Sequence, residues 1–187
     1  KIIEILLLYG NKTEEFDDVL LKTNSEGEVE HIVEKKEYKV FQRIYLSLQE
    51  DEVELANPLF RALFNDLISY YLQNETFGIE NYLKQLPDQF AQEVTDILMD
   101  DERVTLHKWD DQNIFVKQKS ETVGQHTSEI IISMREYLIN KLILDLMSEF
   151  GDKPEPEQEE LKIMINDYNK LKVNLTGTIG RIRSTYI

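Results

Sequence analysis

Three histidines, His31, His107 and His126, are the side chains best suited to proton transfer or metal ligation. A zinc site needs three or four converging ligands, usually with at least one close pair in sequence. Here no histidine lies within four residues of another, and cysteine is absent. His126 and Glu129 stand three apart on a helical pattern and could both reach one metal, although a solvated helix face explains them as well. His107 near Asp110 and Asp111 sets a base beside carboxylates, in an irregular stretch where loop polarity is the plainer account. The pairs Asp17-Asp18, Asp100-Asp101 and Asp110-Asp111 invite a two-metal reading, but adjacent helical residues do not share a face. Gly177 and Gly180 lie in a helical pattern with no preceding strand, which rules out a phosphate loop. With Thr176 and Thr178 they would let another backbone approach closely, at up to about 1 kcal/mol of helix stability per glycine. The expectation is no catalytic residue, no metal site and no cofactor within this chain.

The elements around these residues are helical. Residues 1–9 read as a short helix that is apolar on most sides, hence buried, and Gly10 with Asn11 ends it. Residues 13–18 look like an acidic turn or helix start. Residues 19–23 and 29–33 flank Asn24-Ser25-Glu26-Gly27, and read either as a small β-hairpin or as an irregular surface excursion. Helical spacing returns over 38–49 through Phe41, Ile44, Tyr45 and Leu48. Asn57-Pro58 is a helix start, with a capping side chain and proline at the first position. Leu63, Phe64, Leu67, Ile68 and Tyr71 follow on one face. Gly78 precedes a helix over 79–86, and Pro87 opens another with Phe90, Val94, Ile97 and Leu98 inward. Residues 100–118 have no helical period and hold the only tryptophan, Trp109, so a loop is expected there.

Two longer periodic segments close the chain. Residues 121–150 form one helix, Gly151 with Pro154 and Pro156 stops it, and residues 157–183 form the other. A short turn between long helices makes an antiparallel pair. The predicted fold is therefore all-α: a helical bundle over 1–120, followed by a long C-terminal antiparallel helical hairpin over 121–187. Runs of three apolar residues at 130–132, 142–144 and 163–165 point to more than one side of their helices. Either the bundle covers the excess or a partner does.

Composition narrows the function classes. Cysteine is absent, which excludes disulfides and fits a reducing compartment. The longest apolar run spans residues 5–9, far below the roughly 20 residues a bilayer span needs. The net charge of −15 argues against general nucleic-acid binding. Residues 161–187 carry five bases against Asp167 alone, a net +4, leaving −19 on the remainder. An acidic body with a basic end suits oriented docking between proteins, although bases at a helix end also suit its dipole. The chain begins with Lys1 in the apolar face of a helix and reads as a piece of a longer protein.

Four segments carry a family resemblance. Lys1-Ile2-Ile3-Glu4-Ile5-Leu6-Leu7-Leu8-Tyr9-Gly10 is similar to an opening leucine-rich helix. Glu54-Leu55-Ala56-Asn57-Pro58-Leu59-Phe60 is similar to an F-x-N/H-P-L-[FY] segment. Leu106-His107-Lys108-Trp109 with Ile114-Phe115-Val116 is similar to a short aromatic loop. The helix from Leu161 that ends in Gly180-Arg181-Ile182 is similar to a closing L-G-R-V helix, although its Asn174-Leu175-Thr176-Gly177-Thr178-Ile179 approach is less charged than the family's. In this order they resemble the C-terminal, helicase-binding domain of bacterial DnaG-type DNA primases, particularly the variety in Bacteroidetes-like bacteria. The resemblance implies a non-catalytic, cytoplasmic module that docks on the N-terminal region of a DnaB-type replicative helicase. Zinc and magnesium would belong to other domains of the parent enzyme. The hairpin residues expected to meet the partner are Tyr137, Lys141 and Leu144 on its first helix. On its second they are Tyr168, Lys172, Leu175, Ile179, Arg181, Ile182 and Arg183. The competing readings are a self-associating helical regulator and a small helical metal-dependent hydrolase using His107 or His126.

Overall fold

A computed structural model describes residues 1–23, 29–74, 78–103, 121–150 and 154–177. These contain seven α-helices and one two-stranded antiparallel sheet, so the chain is mostly helical with a small β-hairpin. It separates into two compact units, Lys1–Ser128 and Glu129–Ile187.

The core of the first unit grows from three helices. α1 (Ile2–Tyr9) buries Ile3, Ile5, Leu6 and Leu7, as its nearly all-apolar sequence requires. α2 (Val40–Glu50) and α3 (Pro58–Gln73) pack against it and each other, burying Phe41, Ile44 and Leu48 from one and Leu63, Phe64, Leu67 and Ile68 from the other. Tyr71 ties the three together. Its ring stacks on Phe41 with centroids 4.6 Å apart, and its hydroxyl donates to the Leu6 carbonyl at 2.5 Å. Burial pushes that hydroxyl above the usual phenol range. Gly10 ends α1 in ordinary right-handed geometry, so no unusual φ requires it. It is required by space, because a Cβ there would run into the Tyr71 hydroxyl and lie 2.5 Å from its Cζ.

Between α1 and α2 the chain is a hairpin, β1 (Thr13–Thr23) paired with β2 (Val29–Lys39), with Thr13 opposite Lys39 and Thr23 opposite Val29. Strands are thus present over 19–23 and 29–33. They also continue to the root, where residues 13–18 are strand rather than the turn or helix start their acidity suggests. The reason lies across the ladder. Phe16 is buried while its neighbours Glu15 and Asp17 are exposed, the alternation of a half-buried strand. Lys36 donates to Asp18 at 2.8 Å, and Lys35 donates to Glu15 at 3.0 Å. The Lys36 hydrogen bond holds the Asp18 carboxyl below the usual carboxylate range.

The same ladder corrects the start of α2. Tyr38 and Lys39 belong to β2, and the helix begins at Val40. Its first amide groups are satisfied by the turn that enters the hairpin, since Val40 donates to the Lys12 carbonyl and Phe41 to that of Gly10, both at 2.9 Å. Arg43, on the next turn, lies 6.0 Å from the ring centroids of both Phe16 and Tyr38, and 3.8 Å from Asp18. It fastens the root of the hairpin to α2.

The Asn57-Pro58 start is as predicted: the Asn57 side chain accepts from the amides of Leu59 at 2.9 Å and Phe60 at 3.3 Å. α4 (Ile79–Gln85) buries Tyr82, whose hydroxyl donates to Asp66 at 2.8 Å and whose ring meets Tyr70 edge-on. After Pro87 a 3₁₀ turn (Asp88–Phe90) leads into α5 (Ala91–Arg103), with Phe90 and Val94 buried and Ile97 and Leu98 half-buried. α5 therefore runs four residues into the stretch read as loop; residues 104–120, with His107 and Trp109, lie outside the described residues. α6 (Val123–Glu149) starts against β1, where a Cβ on Gly124 would lie 3.2 Å from Glu14. α7 (Glu155–Gly177) is the last element.

Candidate docking surface

Among the described residues no group of three or more His, Asp or Glu side chains could hold a metal ion. His126 and Glu129 are each half-buried on α6 and belong to no such group. Of the acidic pairs, Asp17-Asp18 is divided by the strand: Asp17 is exposed, while Asp18 is held by Lys36. Asp110-Asp111 and the His107 segment lie outside the described residues.

The feature that does stand out is in the second unit. Side-chain contacts tie α6 to α7. Lys172 donates to Asn140 at 3.0 Å, and the Lys162 ammonium sits 5.8 Å from the Phe150 ring centroid. Moving ten residues back along α7 moves ten forward along α6, so the two helices run in opposite directions with their ties in register. On this ladder Leu144 lies level with Tyr168, and Tyr137 with Leu175.

The three apolar runs fall as a 100° helical rotation requires. In each of the two α6 runs the middle residue is the buried one: Ile131 is 3% exposed and Ile143 is 8% exposed. Leu142 and Leu144 on either side of Ile143 are 45% and 66% exposed. On α7, Ile163 and Met164 are exposed while Ile165 is half-buried. With Tyr137, Met147, Leu171 and Val173, eight large apolar side chains among the described residues of this unit face solvent.

The expected partner residues divide accordingly. Tyr137, Lys141 and Leu144 are exposed and, spaced i, i+4, i+7, share one face of α6. Tyr168, Lys172 and Leu175 are half-buried, and Lys172 is turned to Asn140. Ile179, Arg181, Ile182 and Arg183 lie outside the described residues. Among the described residues Gly177 has no neighbour within 4 Å of where a Cβ would stand, so none of their backbone crosses closely at that point. The residue-by-residue reading passed over Leu142, Met147, Ile163, Met164, Leu171 and Val173. For Leu142, Ile163 and Met164 the adjacent apolar runs were the signal, because three consecutive apolar positions cannot all face inward; Met147, Leu171 and Val173 lie outside those runs.

No helix among the described residues is long and apolar enough to cross a membrane. Residues 1–182 match the model of a family described as a domain of unknown function, DUF8430. No curated protein and no solved structure matches the chain.

Proposed function

On the premise that this chain belongs to the DUF8430 family, we propose that it is a non-catalytic docking module. Its architecture in this reading is a helical bundle followed by an antiparallel helical hairpin. The hairpin, α6 with α7, binds another protein. The observation that carries the reading is the eight exposed large apolar side chains on two helices already tied to each other. Exposed apolar side chains gathered on two paired helices fit an interaction site, and a helix face with i, i+4, i+7 anchors is a standard recognition device.

The partner we infer is the N-terminal region of a DnaB-type replicative helicase, following the primase resemblance of the four segments above. In that setting the chain brings a primer-synthesising enzyme to the helicase. Zinc and magnesium chemistry belongs to other parts of the parent, and the site is cytoplasmic. The acidic body does not favour direct nucleic-acid binding, since phosphate contacts release counterions only to a basic surface.

The test is co-elution of the purified chain with the N-terminal region of the replicative helicase from the same genome. The two are expected to elute together, and a chain truncated after residue 150 is expected to elute alone. Circular dichroism on the truncated chain checks that the unit spanning Lys1–Ser128 has kept its fold. Co-elution that survives the truncation would place the site elsewhere.

A further inference from the structure

A pair of helices has two broad sides, and one side of α6 with α7 carries a pattern that is complementary to itself. On α6 it is Arg135, Leu138, Leu142, Leu146 and Glu149, which at 100° per residue fall within roughly 80° of arc. On α7 it is Met164, Tyr168, Leu171 and Leu175, within roughly 60°. Leu142, Met164 and Leu171 are exposed, and the other four apolar members are half-buried. Counted from the buried Ile143 on α6, and on α7 from Lys172, which reaches Asn140, both rows are turned against the helical rotation. In an antiparallel pair that sense puts them on the same side. Tyr137, Lys141 and Leu144 are turned the opposite way.

Each row has the same spacing read from either end. The α6 steps are three, four, four and three residues, centred on Leu142. The α7 steps are four, three and four, centred between Asn169 and Lys170. The ties of Lys172 to Asn140 and of Lys162 to Phe150 set Leu142 level with Lys170. The two centres therefore coincide to within about 1 Å along the helix axes. A two-fold axis crossing the hairpin at that level lays a second copy on this side, α6 on α6 and α7 on α7, each antiparallel. Leu142 then meets its own copy, and Leu138 meets the second copy's Leu146. On α7, Met164 meets the second copy's Leu175, and Tyr168 its Leu171. At the ends of the α6 row, Arg135 comes over the second copy's Glu149, and symmetry makes that pair twice.

We propose that this side of the hairpin binds a second copy of the chain and closes an antiparallel four-helix bundle. Charge placement selects the occupant. A row with like charges at both ends would repel its own copy, whereas a cation at one end and a carboxylate at the other favour antiparallel self-pairing. Asp167, at the outer rim, is paired with Lys170 of its own helix at 3.0 Å. The docking face of Tyr137, Lys141 and Leu144 stays on the opposite side. The dimer presents that face twice, which strengthens attachment to a partner that is itself repeated. The inference does not depend on what the docking partner is.

The test uses the whole chain, which has no cysteine of its own. Sedimentation equilibrium is expected to show a dimer. L142C, at the two-fold axis, should form a disulfide-linked dimer under mild oxidation, and L144C, on the opposite side, should not. R135E and E149R should each weaken the dimer by roughly threefold to tenfold, since each turns two exposed charge pairs repulsive. R135E/E149R together should restore it, because the swapped charges again face their opposites. A monomer at every concentration, cross-linking of L144C as readily as L142C, or no recovery in the double swap overturns the proposal. Circular dichroism checks the charge variants, and if either loses its fold the cross-linking comparison decides.

Discussion

The two units of this chain differ in degree in how they treat apolar residues. Among the described residues the larger first unit leaves Val33, Tyr45, Leu46, Leu72, Leu83 and Met99 exposed, and the smaller second unit leaves eight. In the first, the helices close on one another so tightly that the end of α1 admits no Cβ beside the Tyr71 hydroxyl. In the second, α6 beyond Ser128 and α7 leave eight large apolar side chains facing solvent among the described residues. A core residue in the first unit is enclosed by its neighbours, whereas Leu144 on α6 is 66% exposed among the described residues.

The largest effect expected from that difference is in paired truncations. Leu67→Ala removes a fully buried side chain from α3 and should cost about 2–5 kcal/mol. Leu144→Ala, at 66% exposure, should change stability by less than about 0.5 kcal/mol. Urea titration of the two variants measures both, and equal losses would erase the distinction between the units. Next comes Gly10→Ala, where the new Cβ pushes on Tyr71 and overpacking of this kind costs roughly 1–3 kcal/mol. The double variant Gly10→Ala/Tyr71→Phe should recover part of that loss if the hydroxyl is the obstacle.

The smallest effect concerns the root of the hairpin. Asp18 titrates below the ordinary carboxylate range, first because Lys36 donates to it. A depressed carboxyl contributes stability that is present at neutral pH and is lost as pH falls through its folded-state value. The contribution is small because both side chains are partly exposed. Melting temperature followed downward from neutral pH should therefore fall more steeply for the wild type than for Asp18→Asn. Parallel curves would show that the pair does not hold the root.

Where a local signal was self-sufficient, the fold was legible in the chain. Asn57-Pro58 needs only its own side chain and the next two amides to start α3. The long periods of α6 and α7 likewise declare themselves without a partner. Thr13–Asp18 did not, because four acids in six residues resemble a turn until Lys35 and Lys36 are placed opposite them. Strand pairing depends on residues roughly twenty positions away, which local pattern does not register. The docking surface was legible as a surplus of apolar residues but not as a face. That Lys172 turns to Asn140, and that Ile163 and Met164 turn outward, follows from how the two helices are rotated against each other.

The central claim is that the exposed apolar residues of the second unit serve binding rather than folding, and one variant tests it directly. Y137S/L144S removes two side chains that are 68% and 66% exposed. Titration calorimetry against the N-terminal region of the replicative helicase, run beside a thermal melt, should show an unchanged melting temperature and affinity reduced by more than about tenfold. Undiminished affinity, or a melt lowered in step with the loss, would contradict it.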